Sequence, residues 1–322
     1  MSHGNPGGKA VILGASGFIG VNLARTIAAK GVEPILFSRS RSPHWPAVSE
    51  VILGDLSAPP ASLLDAIDGA DVFHLASTAR PSNSTAGAAG ELIDNAAATV
   101  RLLEAAKGKA CRWIFASSGG TVYGQTEAES IAEDHPNGPI SSYGIAKLAI
   151  ERYLHLYRRL HGTDYVVARI SNPYGPFQSA STGQGLVATL LDRVANGERV
   201  EVWGDGGNVR DYIYIDDVAE ALVRLAEVGA PGETYNVGSG TGTSINELIG
   251  KVSSLLGRPA KVAYTPARSV DVRRNVLDIA KIGSELGWRP ALSLEDGIAL
   301  TYRWLRSGQV NEPADLAAIG KG

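Results

Sequence analysis

A glycine-punctuated turn, Gly14-Ala15-Ser16-Gly17-Phe18-Ile19-Gly20, follows directly on the apolar run Ala10–Leu13 and opens the amphipathic stretch Phe18–Lys30. A strand that passes at once into a helix through spaced glycines calls for a tight turn, close approach of another group to bare backbone, and hard helix–strand packing. The alternation then continues. Apolar runs at Pro34–Phe37, Val72–Leu75, Arg112–Ala116 and Tyr165–Ile170 are separated by amphipathic stretches at Ser62–Ile67, Glu91–Lys107 and Ser142–His161. Short, near-continuous apolar strands between amphipathic helices are the pattern of a parallel sheet covered on both faces.

The expected fold class is therefore α/β, with a Rossmann-type doubly wound parallel sheet over residues 9–171. Beyond Ser171 the rhythm loosens into Pro/Gly-rich stretches at Asn172–Gly185 and Trp203–Asn208. This half reads as a smaller, mainly C-terminal α/β substrate lobe formed by 172–211 and 238–309. Returns to the main sheet are expected near 212–237, at Tyr212–Ile215 and Thr234–Val237. Residues 1–8 and 310–322 read as loose ends.

Charge narrows the partners. A net charge of -3 and an isoelectric point near 6.1 provide no field for nucleic-acid phosphates. No apolar run approaches the roughly 18 residues of a membrane-spanning helix, and the start lacks an apolar export segment. The single cysteine, Cys111, cannot form an internal disulfide. A cytoplasmic protein is expected, with no nucleic-acid partner, no membrane association and no metal centre.

The glycine turn is where a cofactor would sit. Gly14, Ser16, Gly17, Phe18, Ile19 and Gly20 place backbone N–H groups and the positive end of a helix where a pyrophosphate can bind, which points to a nicotinamide dinucleotide. The second strand ends in Ser38-Arg39-Ser40-Arg41, without the acidic residue that commonly holds the ribose hydroxyls of NAD(H). Ser38 and Arg39 can instead hold a 2′-phosphate through charge-assisted bonds, so NADP(H) is preferred and NAD(H) is the alternative. Asp55-Leu56 and Leu75-Ala76-Ser77, at the ends of further strands, complete the expected cofactor contacts. An alternative for Asp55 is a simple turn cap.

Tyr143 and Lys147 stand four residues apart on one face of an expected helix. A free phenol, with its pKa near 10, is a weak base at neutral pH; a neighbouring ammonium favours the phenolate and brings it toward a working range. About twenty residues earlier, Trp113–Ala116 runs into Ser117-Ser118-Gly119-Gly120-Thr121-Val122-Tyr123-Gly124.

Together these segments resemble the extended short-chain dehydrogenase/reductase family, specifically its nucleotide-sugar epimerases, dehydratases and ketoreductases. The resemblance runs from Lys9 to Arg306. It includes Asp94-Asn95 at the start of a helix that the family uses in dimerisation, Arg169-Ile170-Ser171-Asn172-Pro173-Tyr174-Gly175-Pro176, Gly204-Asp205-Gly206 with Arg210-Asp211-Tyr212, Asn236-Val237-Gly238, and Arg268 with Asp271. It implies a nucleotide-activated sugar as substrate, contacted through its diphosphate by Asn172, Arg210 and Arg268, and a homodimer. Trp203 and Tyr174 read as core aromatics ahead of base-stacking ones.

The chain departs from the family at one point: where relatives carry the Ser/Thr that bonds the sugar hydroxyl, this sequence has Gly119. The hydroxyl must come from Ser118, Thr121 or Ser117. The same stretch lacks the Asp-Glu pair that sugar 4,6-dehydratases use, which disfavours a dehydratase. The expected activity is hydride transfer at carbon 4 of a nucleotide sugar, with Tyr143, Lys147, and Ser118 or Thr121 as the catalytic set. The absent acidic residue after the second strand tips the balance to a 4-keto-sugar reductase, with a 4-epimerase holding its NAD(P) tightly as the alternative. A non-catalytic NADP(H) sensor is a remote further alternative, since it has no need of the Tyr/Lys pair.

Overall fold

The computed structural model describes residues 8–47, 49–78, 88–178, 185–267 and 272–307. Seven parallel strands form the main sheet: β1 (Lys9–Leu13), β2 (Ile35–Ser38), β3 (Glu50–Leu53), β4 (Ala70–His74), β5 (Arg112–Ser118), β6 (Asp164–Ile170) and, later in the chain, β10 (Thr234–Val237). Their order is β10-β6-β5-β4-β1-β2-β3. The doubly wound Rossmann-type architecture expected from the alternation is present.

Period-two alternation along the strands divides the core into two layers. Ile12, Phe73, Ile114 and Val166 face one side with helices α1 (Phe18–Ala29) and α7 (Ile215–Val228). Val11, Val72, Trp113, Phe115 and Val167 face the other, against α2 (Ala61–Ile67), α4 (Ala98–Ala105) and α5 (Ser142–His161). All seven residues of β5 are buried, so this strand has no solvent face and its centre, Trp113–Ala116, is an unbroken apolar run.

The stretch expected as one helix over Glu91–Lys107 is broken into α3 (Ala88–Glu91), a π-helical turn (Leu92–Ala97) and α4. The cause is local: Asn95 donates to the carbonyl of Glu91 at 2.8 Å and accepts from the backbone N–H of Thr78 at 2.8 Å, so its side chain serves the loop after β4 from inside the helix.

A third core, with Tyr174, Leu190, Val200, Val202, Tyr212, Leu248 and Val252, fills the second lobe. Its helices are α6 (Leu186–Asn196), α8 (Ile245–Leu256) and α10 (Leu294–Arg306), while α9 (Ala280–Leu286) packs on β10. Strands β8 (Arg199–Trp203) and β12 (Lys261–Thr265) pair in parallel. A four-stranded sheet contains β7 (Asn172–Tyr174), β9 (Val209–Tyr214), β11 (Gly242–Ser244) and β13 (Arg274–Asn275).

That second sheet corrects one expectation. Tyr212–Ile215 does not return to the main sheet; β9 pairs with β7, β11 and β13, and it is α7 that carries the chain back against β5 and β6. The partner strands are two to three residues long and β7 contains Pro173, so nothing in their local pattern announces the pairing. The return at Thr234–Val237 is β10 itself. Apart from Gly8, the two expected loose ends lie outside the described residues.

Asp211 on β9 ties this arrangement together. It is fully buried, and its carboxylate accepts from the backbone N–H and hydroxyl of Ser239, each at 2.7 Å, and from the N–H groups of Gly240 and Leu277, each at 3.3 Å. Replacing it strands several buried donors. Asp211→Ala is expected to cost about 2–4 kcal/mol in urea unfolding; a variant of parental stability would contradict this role.

Candidate active site

The carboxyl ends of β1, β2 and β4 meet at the glycine turn. Gly14 has φ +84°, and a Cβ there would lie 2.7 Å from the backbone of Ala76, while one on Gly20 would strike the carbonyl oxygen of Gly14. The N–H groups of Gly14 and Ala15 both bond to the carbonyl of Phe37, at 3.0 and 3.2 Å. Helix α1 has no side-chain cap and no acidic residue in its first turn. Its positive end is thus bare backbone held on three sides, a cradle that fits a pyrophosphate.

The other cofactor candidates gather around it. The hydroxyls of Ser16 and Ser38 are 2.6 Å apart, Ser38 being buried at the end of β2 and Arg39 exposed just beyond it. Asp55 accepts from the N–H of Ser57 at 2.8 Å, so the turn cap is real. Those Ser57 bonds, with help from the Arg39 charge, hold its carboxyl below the usual range. Leu56 is half-buried, and Leu75-Ala76-Ser77 passes beside Gly14, with the Leu75 N–H bonded to Leu13 at 3.0 Å. Two supports had no signal in the sequence: Trp45 donates to the Ala15 carbonyl at 2.8 Å, and Asn22 of α1 reaches the Pro176 carbonyl at 3.0 Å.

Helix α5 carries the Tyr143/Lys147 pair expected from the sequence. Its first turn is fixed by Ser141, whose hydroxyl accepts from the Gly144 N–H at 3.1 Å. The Tyr143 phenol neighbours the Ser118 hydroxyl at the end of β5; burial pushes the phenol up to about 12, and the Ser118 hydroxyl works against this. One turn on, Lys147 is 5% exposed and donates to the Ala116 carbonyl at 2.8 Å. Its ammonium lies 4.9 Å from the Phe115 ring centroid and 5.7 Å from that of Tyr143. Burial pulls it down to about 8, with the Glu151 carboxylate opposing that change.

Behind Lys147, His74 is buried and bonded through Nε2 to Thr99 at 2.8 Å; the Thr99 hydroxyl donates to the Asn95 carbonyl, so the imidazole is the donor to Thr99. Burial and the Lys147 charge hold His74 down at about 3, so it is neutral at ordinary pH.

Of the three hydroxyls left open by the sequence, only Ser118 meets Tyr143. Ser117 donates to Glu151, and Thr121 Oγ1 is buried without a partner. The glycine at 119 has a physical cause: a Cβ there would lie 2.6 Å from Leu277 Cδ1 and 3.1 Å from the Arg169 carbonyl.

On the substrate side, Asn172 donates to the Asp211 carbonyl at 3.0 Å, and its Oδ1 lies 3.9 Å from where a Gly120 Cβ would be. Asn172 and Ser118 therefore flank one short segment. Arg210 is half-buried on β9 and donates to the carbonyl of Val209 at 2.9 Å. Arg268 and Asp271 lie outside the described residues, as do 79–87 and 179–184. Tyr174 is in the core, as expected; Trp203 is not, being 44% exposed at the end of β8, where alternation turns it outward from Val200 and Val202. Glu151, on the buried face of α5, was missed, although its spacing four beyond Lys147 is a usable signal. Among the described residues, no helix is long and apolar enough to cross a membrane, and no group of three or more potential metal ligands occurs.

A model of the NAD dependent epimerase/dehydratase family matches residues 10–238. The chain is 33% identical to the UDP-glucose 4-epimerase of Mycolicibacterium smegmatis, over 93% of this chain and 99% of that one. It is 29% identical to a dTDP-4-dehydro-6-deoxyglucose reductase of Escherichia coli, over 92% and 97%. The crystal structure of a Thermotoga maritima UDP-glucose 4-epimerase with UDP-glucose is similar with a TM-score of 0.87 at 32% identity, covering 94% of this chain and all of that one.

The crowding at Gly119 is testable. Gly119→Ser, which restores the residue type relatives carry there, is expected to lower stability by about 1–3 kcal/mol by overpacking. Thermal unfolding checks this, and unchanged stability would show that Leu277 and β6 yield at no cost.

Proposed function

Because this chain belongs to the NAD dependent epimerase/dehydratase family, extended short-chain dehydrogenase/reductases acting on nucleotide sugars, we propose that it is a nucleotide-sugar 4-epimerase. The observation that carries the reading is the Ser118–Tyr143–Lys147 cluster, set beside Gly119-Gly120 where an acid pair for water elimination is absent. The 4-epimerases among its relatives support it over the reductase that residues 38–41 favoured alone.

Gly14, Ser16, Gly17, Phe18, Ile19 and Gly20 would hold the pyrophosphate, Ser38 and Arg39 the adenosine ribose, Asp55 and Leu56 the adenine edge, and Lys147 the nicotinamide ribose; Leu75-Ala76-Ser77 would line the passage between them. The nicotinamide, when bound, supplies the hydride acceptor and donor. Ser118 orients the carbon-4 oxygen of the sugar. Tyr143 takes the hydroxyl proton from that oxygen and later returns it. Lys147, a buried cation beside the phenol, favours the phenolate and so lowers the cost of that transfer. Asn172, Arg210 and Arg268 would hold the diphosphate while the keto-sugar presents its other face.

A 4-keto-sugar reductase is the second reading. It is favoured by the absence of a carboxylate at the end of β2, where Arg39 suits the 2′-phosphate of NADP(H). The nucleotide retained by the purified protein and the fate of added NADPH separate the two. An epimerase keeps its nicotinamide and shows no net NADPH loss; a reductase consumes one NADPH per 4-keto-sugar. In either case Tyr143→Phe is expected to lower kcat by about 10²–10⁴-fold with the fold intact, and full activity in that variant would remove Tyr143 from the chemistry.

We also propose that the protein is a cytoplasmic homodimer. Ile145, Tyr153, Leu156 and Leu160 expose 52%, 41%, 42% and 63% of their surfaces along α5, and Leu92 and Ile93 nearby expose 50% and 55%. A second copy of the same helices is the occupant that matches such a self-complementary apolar face. Leu156→Asp combined with Ile145→Asp is expected to give a monomer by light scattering, whereas an unchanged mass would place any interface elsewhere.

A further inference from the structure

One turn beyond Lys147, on the same face of α5, Glu151 is only 7% exposed. Three donors converge on it. The Ser117 hydroxyl of β5 donates to Oε1; Arg169 of β6 donates from Nε to Oε1 at 3.2 Å and from Nη2 to Oε2 at 2.7 Å. Arg169 is 4% exposed, lies over the Tyr123 ring at 4.8 Å and donates to the Glu133 carbonyl at 3.1 Å. Glu151 thus joins three elements: the helix that carries Tyr143 and Lys147, the strand that carries Ser118, and the strand that leads to Asn172.

A buried pair of opposite charges stabilises little by itself, but removing one member leaves an uncompensated charge in a low-dielectric region. That region includes Lys147. The groups facing its ammonium are the Ala116 carbonyl and Phe115 ring of β5, Tyr143 and Glu151 of α5, and neutral His74 of β4. Glu151 in turn pairs with Arg169 of β6 at 2.7 Å.

We propose that Glu151 is a positioning residue: by covering Arg169 and gripping Ser117, it keeps Lys147 a charged ammonium inside the protein and holds the strand end that presents Ser118. A carboxylate pointed at Arg169 does two things at once. It neutralises the guanidinium it pairs with, and it contributes an anion one helical turn from Lys147. The inference deepens the Tyr143–Lys147 reading and depends on it only for its catalytic consequence.

The test reads Lys147 directly, without a substrate. In the full chain labelled with [ε-¹³C]lysine, nine lysine signals are expected, and Lys147→Arg identifies the one of interest. Glu151→Gln uncovers Arg169 and removes the anion, so the Lys147 titration midpoint should fall by about one pH unit. Arg169→Gln leaves Glu151 uncovered, and the midpoint should rise by about as much. The double variant Glu151→Gln/Arg169→Gln removes both charges and should return the midpoint close to that of the parent. Midpoints that stay in place in the single variants, or that move in the same direction in both, overturn the proposal. If Glu151→Gln does not fold, Arg169→Gln and the double variant decide alone. Should Lys147→Met retain turnover while these opposed shifts occur, the catalytic reading fails and this one stands.

Discussion

The parallel pairing of β5 with β4 on one side and β6 on the other is the constraint from which the site follows. Parallel strands end on the same side of a sheet, so every residue at a carboxyl end is delivered to one edge without further design. Ser118 terminates β5, His74 terminates β4, the glycine turn leaves β1, Ser38 ends β2, and Asn172 follows β6. Because β5 is buried along its whole length, its end is held from both faces, and the Ser118 hydroxyl inherits that rigidity.

Helix α5 crosses this edge with three polar residues on one face of its first three turns. Tyr143, Lys147 and Glu151 occupy successive turns and meet, respectively, Ser118, the Ala116 carbonyl and Arg169. Burial works against charge on both reactive groups, holding the phenol protonated and weakening the ammonium. That is an unfavourable resting state for two free side chains, and it suits the proposed role of a pair that exchanges protons with a bound substrate rather than with solvent.

Much of this was legible in the chain because the signals are local. The glycine turn states its own geometry, and α5 occupies the residues read from its periodicity, Ser142–His161, because an N-cap serine and a following Gly162 mark both ends. What stayed hidden depends on partners far away in sequence. Pairing of β9 with β7 and β13 joins segments tens of residues apart, through strands too short to carry a pattern. The π-turn at 92–97 arises from Asn95 serving Thr78. The choice of Ser118 over Ser117 and Thr121 rests on Leu277 crowding Gly119 and on Glu151 claiming Ser117. Trp203 was misplaced although the alternation Arg199-Val200-Glu201-Val202 already puts it on the polar face of β8.

If the chain is the proposed 4-epimerase, one sugar carbon is oxidised and re-reduced while its hydrogen never meets solvent. Proton NMR of a panel of UDP- and dTDP-linked hexoses incubated with the freshly purified protein in deuterated water, with no added cofactor, tests this most directly. Signals of a 4-epimer are expected, with the carbon-4 hydrogen retained as protium. Deuterium at carbon 4 of the product would contradict the proposal, as would loss of water from the sugar.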